Sequence, residues 1–435
     1  MRAACVGLLM AALALATRAD AVVTGSIFGP GSESFPIAVL PLKNLGGDGG
    51  GALGQEFARV LSRDLDLSGY FRLVDPKTFV EDPQQAGLTA ETTDFVGWAA
   101  LGASEVVKGG VTVTGDGVRV EVRLFDVPGR KDVAEVGRVF TGRRGDVARM
   151  AHKTADRILE VLTGERGPFD SRIALTSTAG GPLKEVYTYT FDQTAPSKVT
   201  NEHTIIVSPR WGPQMRSILF TSYAQHEPRL FSVDLGTHRV TPLLPGQKGN
   251  FLNGAWSPDG SKLLVTREVG GNSDIWLYDR GGSPIRRLTD HWAIDVSPAW
   301  APDGRTFAFC SARSGSPQIY AMTIEGGEPR RVSTVGSYNT SPAWSPKGDL
   351  VAYATRAGGG FQIVVQPLSG AGRTITSRGS NEDPTWSPDG RYLVYSSTRS
   401  GRRKLWFADR DGRSEKQLTT GAGDDTSPAW SPRVE

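Results

Sequence analysis

The amino-acid sequence predicts a small α/β domain followed by an all-β six-bladed β-propeller. A tryptophan followed by Ser-Pro-Asp-Gly, or by a close variant, recurs at intervals of 42 to 45 residues; the copies begin at Trp211, Trp256, Trp300, Trp344, Trp386 and Trp430. A unit of this length cannot bury its own apolar face, so the units must pack on one another. Repeats built from four short strands favour a propeller.

Each repeat can be divided into four strands, and the copy that starts at position 297 shows them most clearly. A strand ends over 297–300, residues 302–304 form a tight turn, and Thr306–Ser311 returns with strand composition. Two further strands, Gln318–Thr323 and 330–333, follow after turn residues. The same order in the other copies predicts six blades. The tryptophans are expected to serve packing and turn formation rather than base stacking.

The ring is expected to close by joining the two ends of the propeller sequence. Upstream of Trp211, residues 172–176, 185–189 and 198–200 match the second, third and outer strands of a blade that lacks its first strand. Residues 427–430, which have no return strand after them, can supply the missing strand. This pairing would remove the free edges of an incomplete ring, so the propeller is expected over 170–435.

Residues 34–166 have a different pattern, which predicts the α/β domain. A buried-strand run over 35–42 precedes a helix whose apolar residues recur on one face between 53 and 65. A hairpin is predicted across Gly115-Asp-Gly117, and a last helix should stop at Gly164. The domain boundary is expected near Gly167.

The first 21 residues have the features of a secretory signal peptide. These features are Arg2, an apolar run over 3–16 that is too short to span a membrane, and a small-x-small site at Ala19-Asp-Ala21. The mature chain is therefore expected to begin at Val22, in the periplasm and without membrane insertion. Residues 22–33 lack apolar periodicity and are expected to form a flexible N-terminal segment. Of the two cysteines, only Cys310 would remain, so no internal disulfide is expected.

Composition and motifs exclude several classes of function. The formal net charge is +3 at pH 7, and arginine pairs are scattered over turns and outer strands, so no nucleic-acid partner is expected. The sequence has no Gly-x-Ser-x-Gly, no His-Glu-x-x-His and no phosphate loop, and its five histidines are not at ligand spacing. We therefore expect no enzyme activity, no cofactor and no metal site.

The order of these parts resembles the TolB family of the Tol-Pal system. The resemblance rests on the signal peptide, the short leading segment, an α/β domain that opens with Pro-Ile-Ala-Val-Leu-Pro at 36–41, and repeats that stop soon after Trp430. It implies a monomeric periplasmic hub for protein–protein interactions. Such a hub binds Pal, the peptidoglycan-associated lipoprotein, at the propeller mouth, and the C-terminal domain of TolA through its own N-terminus. The resemblance also implies support of outer-membrane integrity and of envelope constriction at cell division.

Candidate binding residues follow from the expected geometry of a propeller. The loops that lead from each outer strand to the next inner strand should converge around the axis on one face. Candidates at this mouth are Glu202, His203, Asn250, Asn253, His291, Asp295, Tyr338, Asn339, Asn381, Glu382 and Asp425. The resemblance adds the N-terminal residues Val22, Val23, Thr24, Gly25, Ser26, Ile27 and Phe28.

One recurrence among the mouth candidates has two interpretations. An Asp or Asn lies five residues before the tryptophan in four copies, at Asp295, Asn339, Asn381 and Asp425. Such a side chain can contact a partner, or it can hydrogen-bond its own loop. The sequence leaves both interpretations open.

Two other functions agree with parts of the sequence. The first is a degenerate propeller of the kind that accompanies prolyl-peptidase-like hydrolases, but such an enzyme needs a nucleophile elbow that this sequence lacks. The second is a periplasmic propeller that binds a small ligand or a cation at an acidic mouth. A thermal shift with Ca²⁺, compared with one with Pal, would separate this alternative from the hub.

Overall fold

The computed structural model describes residues 34–193 and 195–433. The predicted signal peptide at 1–21 and the predicted N-terminal segment at 22–33 lie outside the described residues. Among the helices of the described part, none is both long and apolar enough to cross a membrane. The described chain contains an α/β domain and a ring of six blades, which confirms the predicted fold class.

The α/β domain is a mixed sheet with helices packed against it. Its strands are β1 (Phe35–Val39), β2 (Lys43–Gly46), β3 (Phe71–Leu73), β4 (Glu105–Thr114), β5 (Gly117–Asp126), β6 (Lys131–Asp132) and β7 (Arg138–Arg143). Its helices are α1 (Gly50–Ser68), α2 (Phe95–Ala100) and α3 (Val147–Thr163), with 3₁₀ turns at Pro76–Thr78, Ala90–Thr92 and Arg144–Asp146. The sheet order is β3-β1-β4-β5-β6, with β2 also on β4 and β7 also on β5. Strand β1 is parallel to both β3 and β4, and β4 and β5 form an antiparallel hairpin.

The two long helices of this domain bury one face each and end at glycine. In α1, Phe57, Leu61 and Leu65 are fully buried at a spacing of four residues. Helix α1 ends at Gly69 with φ 74° and α3 at Gly164 with φ 79°, because glycine adopts this left-handed conformation without steric cost. Their buried faces belong to a core that continues into the propeller.

The propeller consists of six four-stranded antiparallel blades. Its strands are β8 (Ile173–Ser177), β9 (Glu185–Tyr189), β10 (Ser197–Lys198), β11 (Ile206–Trp211), β12 (Ser217–Ser222), β13 (Arg229–Asp234), β14 (Val240–Pro242), β15 (Asn250–Trp256), β16 (Lys262–Val269), β17 (Asn272–Asp279), β18 (Pro284–Arg287), β19 (Asp295–Trp300), β20 (Thr306–Ser311), β21 (Gln318–Thr323), β22 (Gly326–Arg331), β23 (Asn339–Trp344), β24 (Leu350–Ala357), β25 (Gly360–Pro367), β26 (Arg373–Thr374), β27 (Asn381–Trp386), β28 (Tyr392–Ser400), β29 (Arg402–Asp409), β30 (Glu415–Gln417) and β31 (Asp425–Trp430). A 3₁₀ turn, Pro213–Met215, lies between β11 and β12. Blade 1 joins β8, β9 and β10 to β31, and blades 2 to 6 each take four successive strands from β11 to β30.

Blade 1 brings together two distant parts of the chain. Asp425 pairs with Ser177 and Trp430 with Ile173, so β31 is the inner strand of this blade. Trp430 is only 7% exposed, and its indole N–H donates to Ser171 Oγ at 2.8 Å. Residues 248 positions apart therefore share one sheet, and every blade has an inner strand.

All six inner strands share a backbone bulge. The residue three before the tryptophan has a positive φ, from 46° to 57°, at Ser208, Asn253, Ser297, Ser341, Asp383 and Ser427. The strand register shifts around each of these residues. A left-handed conformation is unfavourable for residues other than glycine, so its recurrence in every blade indicates that the shape of the inner strand requires it.

The recurring tryptophans join neighbouring blades. Three indole N–H groups donate to an alanine carbonyl on the inner strand of the preceding blade: Trp211 to Ala429 at 2.8 Å, Trp300 to Ala255 at 2.9 Å and Trp386 to Ala343 at 3.0 Å. These bonds satisfy the indole N–H groups of the three side chains. The tryptophans thus contribute hydrogen bonds to the ring as well as apolar packing.

A buried ion cluster connects the α/β domain to blade 1. His152 of α3 lies between two carboxylates, with its Nδ1 2.6 Å from Asp64 Oδ2 and its Nε2 3.4 Å from Asp192 Oδ1. Burial alone would lower the pKa of His152, but the two carboxylates outweigh burial and raise it to about 10. The imidazole is therefore charged at neutral pH, and it links both long helices to the loop that follows β9.

Candidate partner-binding face

One face of the propeller gathers the loops that lead from the outer strand of one blade to the inner strand of the next. These loops are 199–205, 243–249, 288–294, 332–338, 375–380 and 418–424. We call this side the loop face, and we call the opposite side, where the turns after the tryptophans lie, the turn face. Ten of the eleven predicted mouth residues lie in these loops or in the first two residues of an inner strand, and Asn253 lies at the bulge of β15.

Four of the predicted mouth residues have no solvent exposure. Asp295, Asn339, Asn381 and Asp425 are each 0% exposed, although each begins an inner strand at the loop face. A side chain without exposed surface cannot contact a partner unless the blade opens. The sequence predicted that these four side chains point into the mouth, and their burial corrects that expectation.

Three of these side chains join their inner strand to the third strand of the preceding blade. Asn339 Nδ2 donates to Gln318 Oε1 at 2.7 Å, and Asn381 Nδ2 donates to Gln362 Oε1 at 2.9 Å. Asp425 accepts from Lys404 Nζ at 3.1 Å. We call these three contacts the inter-blade latches, and they explain the recurrence as a packing device.

Asp295 occupies the same position but has a different partner. Its Oδ2 lies 2.9 Å from Nη2 of Arg313, which belongs to the same blade and is half-buried. The Arg313 guanidinium lies over the rings of Phe309 and Tyr320, at 5.3 Å and 5.1 Å. Asp295 therefore fixes the hairpin that follows β20 rather than the preceding blade.

The other predicted mouth residues have at least some exposed surface. Glu202 and His203 are exposed, and their backbone N–H groups donate to the Glu185 carboxylate at 3.1 Å and 2.9 Å. Glu382 is half-buried and pairs with Arg403 at 2.8 Å. These side chains lie at the rim of the loop face, where a partner can reach them.

Polar contacts also fix the half-buried candidates on the blades before Trp300. Asn250 donates to Glu268, and Asn253 donates to Ser208 Oγ at 2.9 Å across neighbouring bulges. His291 accepts, through its backbone carbonyl, a bond of 2.6 Å from Asn272 Nδ2. Tyr338 is likewise half-buried, and its ring lies 6.1 Å from that of Phe361. All four side chains are thus partly covered by neighbouring parts of the propeller.

The largest exposed apolar side chain of the loop face was not among the predicted residues. Trp292 is 79% exposed and Ile294 is 53% exposed, on the loop 288–294. We call Trp292 and Ile294 the Trp292 patch. Its signal in the sequence is a run of apolar residues in a loop that should be polar.

A fixed loop supports the Trp292 patch. Ala293, between the two exposed residues, is 4% exposed, and its N–H donates to His291 Nδ1 at 3.0 Å. The His291 and Trp292 rings lie 5.3 Å apart. Ile294 accepts a backbone bond of 3.3 Å from Ala312 N. The patch is thus held in place on both sides, which lowers the entropic cost of using it for binding.

A basic sector lies further round the same face. Arg356, Arg378 and Arg402 are exposed on blades 5 and 6, and none of them forms an ion pair among the described residues. Arg356 N donates to Tyr338 O at 2.9 Å, so this sector begins at the loop that follows the Trp292 patch around the ring. The loop face therefore offers an apolar patch beside positive charge. No three acidic, histidine or cysteine side chains of the described chain lie together as a metal site would require.

These features define a class of two-domain proteins in which an α/β domain precedes a six-bladed propeller. A model described as the TolB beta propeller domain matches residues 159–434, and one described as the TolB amino-terminal domain matches residues 17–133. The chain therefore belongs to the TolB family, as the resemblance of its sequence indicated.

Individual relatives agree with this assignment. The chain is 38% identical over 299 residues to a Tol-Pal system protein TolB from Anaeromyxobacter dehalogenans, a match that covers 67% of this chain and 66% of the relative. It is 39% identical over 215 residues to the one from Syntrophotalea carbinolica, with 49% of each chain covered. The chain thus spans about two thirds or less of the length of these relatives. The crystal structure of TolB from Acinetobacter baumannii superposes with a TM-score of 0.81 at 27% identity, over 94% of this chain and 99% of that one.

Proposed function

We propose that this chain is a periplasmic interaction hub of the Tol-Pal system that binds a Pal-like lipoprotein through its loop face. The same proposal assigns the N-terminal residues 22–28 to the C-terminal domain of TolA. The hub acts as a monomer and without catalysis, and it supports outer-membrane integrity and envelope constriction at division. Membership of the TolB family supports the system, and the loop face supports the place of Pal.

The single observation that carries the Pal site is the Trp292 patch. Trp292 has 79% of its surface exposed to water, and a partner that covers this apolar surface gains free energy from the hydrophobic effect. Tryptophan is also the residue type most enriched among the interface residues that dominate binding energy. Because Ala293 anchors the loop from below, the indole meets a partner without prior folding of the loop.

The charged residues of the loop face supply orientation rather than most of the affinity. Arg356, Arg378 and Arg402 lie at the rim and are exposed, so their attraction for acidic groups is screened by salt. They should accelerate association with an acidic partner surface, whereas the Trp292 patch should slow dissociation. A Pal-like partner is thus expected to present an apolar pocket with an acidic border.

The test compares two isoleucines with nearly equal exposure. Ile294, 53% exposed, belongs to the patch, and Ile285, 50% exposed, lies on the outer strand β18. Calorimetry with the purified periplasmic domain of Pal should show weaker binding for Trp292→Ala, by at least about tenfold or 1.4 kcal/mol, and a smaller loss for Ile294→Ala. Ile285→Ala should bind like the unmodified chain. Equal affinity of all four proteins would contradict the proposed site.

The TolA part of the proposal concerns residues outside the described chain. It rests on the family resemblance and on Gly25, Gly29, Pro30 and Gly31, which make 22–32 a poor element of any core. Deleting 22–32 should abolish binding of the TolA domain and leave both Pal binding and the melting temperature unchanged. Loss of Pal binding in this deletion, with Trp292→Ala binding normally, would show that the two sites are assigned the wrong way round.

A further inference from the structure

The turn face contains a cavity that plays no part in the proposed partner binding. It has a volume of about 540 Å³ and lies where the inner strands end. Its walls come from the Trp-Ser-Pro turns of the blades, so tryptophan and proline side chains make up most of them. The size is in the range of sites for small ligands and for short peptide segments.

One side chain in this cavity departs from the repeat. The residue just before the tryptophan is alanine in four blades, at Ala255, Ala299, Ala343 and Ala429, and threonine in a fifth, at Thr385. In blade 2 the same position is Arg210, and it lines the cavity. Because five blades form the same inner strand with a small residue there, the fold itself does not require an arginine.

The Arg210 guanidinium is poorly satisfied by the protein. Among the described residues it makes one hydrogen bond, from Nη1 to the carbonyl of its own neighbour Pro209 at 2.8 Å. Burial lowers the pKa of Arg210, and the opposing attraction comes from Asp383. That carboxylate, however, already accepts bonds from Ser341 at 2.8 Å and from Ser427 at 3.1 Å.

A second guanidinium lies on the same cavity. Arg433 donates through Nη2 to Arg166 O at 2.8 Å and to Gly167 O at 3.2 Å. Its Nε is buried and has no hydrogen-bond partner among the described residues. The charged side chains that line the cavity are Arg210, Arg433 and Asp383, two positive and one negative, so the described walls carry a net charge of one positive unit.

We propose that the turn-face cavity is an anion-binding site for one carboxylate carried on an apolar body, as on a Glu or Asp side chain of an extended peptide. The planar guanidinium of Arg210 presents two parallel N–H donors that match a carboxylate. Binding would neutralise the excess positive charge in a partly desolvated site. The tryptophan and proline walls would pack on the apolar part of the ligand, which a free inorganic anion lacks.

The test is a titration of the mature chain with the blocked tripeptide Pro-Glu-Pro, its Pro-Gln-Pro analogue and succinate, followed by calorimetry. The Glu peptide is expected to bind at least tenfold more tightly than the Gln peptide and than succinate. Arg210→Ala should reduce the affinity at least tenfold, and Arg433→Ala should reduce it to a smaller extent. Arg138→Ala is the matched control and should bind like the unmodified chain, because Arg138 is an exposed arginine of the α/β domain whose Nη1 also donates to the carbonyl of the preceding residue.

Each other result would overturn the proposal or part of it. No binding of the Glu peptide, or equal binding by Arg210→Ala, would show that the cavity is not an anion site. Succinate binding as tightly as the Glu peptide would show that the site binds a carboxylate but does not recognise a peptide. If Arg210 served only to neutralise Asp383, Arg210→Ala would melt at a lower temperature while binding stayed unchanged. Alanine at this position in four other blades makes a folded variant the expected result.

Discussion

Each repeat contains two kinds of position close together: the start of the inner strand, and the loop just before it. Five residues before the tryptophan, an Asp or Asn recurs in four blades and is fully buried. Three positions earlier, the residue changes in every blade: His203, Lys248, Trp292, Gly336, Arg378 and Ala422. Recurrence thus marks side chains that pack the blades together, and variation marks the surface that is free to acquire a function.

The same contrast applies on the turn face. Three of the recurring tryptophans donate a hydrogen bond to the neighbouring blade, as Trp300 does to Ala255. The residue just before each tryptophan is small in five blades, and Arg210 is the exception. In both places the chemistry of interest lies where the repeat is broken. If the recurring positions are structural, replacing them should lower the free energy of unfolding, and removing the closing strand should lower it most.

Removal of residues 427–435 should destabilise the propeller most. It takes away four of the six residues of β31, the inner strand of blade 1, including the buried Trp430. Loss of a buried tryptophan alone costs about 3–5 kcal/mol, and the free edge of β8 adds to the loss. Thermal unfolding followed by circular dichroism measures the effect. A melting temperature equal to that of the full chain would show that the ring does not depend on this pairing.

Asp425→Ala should lower the free energy of unfolding by about 3 kcal/mol, because it leaves the Lys404 ammonium buried without its carboxylate. The Lys404 side chain is only 5% exposed, and its remaining bond is to Gly423 O at 2.7 Å. Glu382→Ala is the matched control, since Glu382 is the next residue along in its repeat and its pair with Arg403 is half-exposed. The control should lose less than about 1 kcal/mol in urea unfolding. Equal losses of unfolding free energy would show that a buried latch contributes no more to stability than an ion pair at the rim.

The architecture could be predicted because the repeats are near copies. A fixed interval between Trp256, Trp300 and Trp344, with turn residues at constant offsets, is sufficient to count blades and to place strands. The α/β domain was also visible, since the spacing of Phe57, Leu61 and Leu65 depends only on local helix geometry. Both signals are local in sequence, and local patterns require no knowledge of which blade faces which.

The candidate site was harder to predict because burial depends on neighbours that are distant in sequence. Asn339 looks like an exposed loop residue until Gln318 is placed beside it, 21 residues away. Trp292 and Arg210 were visible as departures from the repeat, but the prediction favoured recurring polar residues instead. The pairing of His152 with Asp64 spans 88 residues and has no periodic signal at all.

The contrast between recurring and varying positions does not extend to His152, which is buried and structural although it belongs to no repeat. Its pKa of about 10 lies above the unfolded value near 6.5, so its stabilisation is complete below about pH 6.5 and is lost as pH rises towards 10. Between pH 7 and pH 9 the unmodified chain should lose on the order of 2 kcal/mol more than His152→Gln. Urea unfolding at both pH values measures this. His226→Gln, at an exposed position, should follow the unmodified chain, and a His152 variant that did the same would exclude the ion cluster as the cause.

The smallest effect separates the hydrogen bond of a recurring tryptophan from its packing. Trp300 and Trp256 are both half-buried and occupy the same position in neighbouring blades, but only the Trp300 indole donates to a neighbouring inner strand among the described residues, at 2.9 Å to Ala255 O. Trp300→Phe and Trp256→Phe remove similar apolar area, so the difference between their unfolding free energies isolates that bond. We expect Trp300→Phe to be less stable by about 1 kcal/mol, because the carbonyl of Ala255 loses its donor. Equal stabilities in urea unfolding would mean that the tryptophans recur for their shape alone, and that the indole N–H contributes nothing to joining the blades.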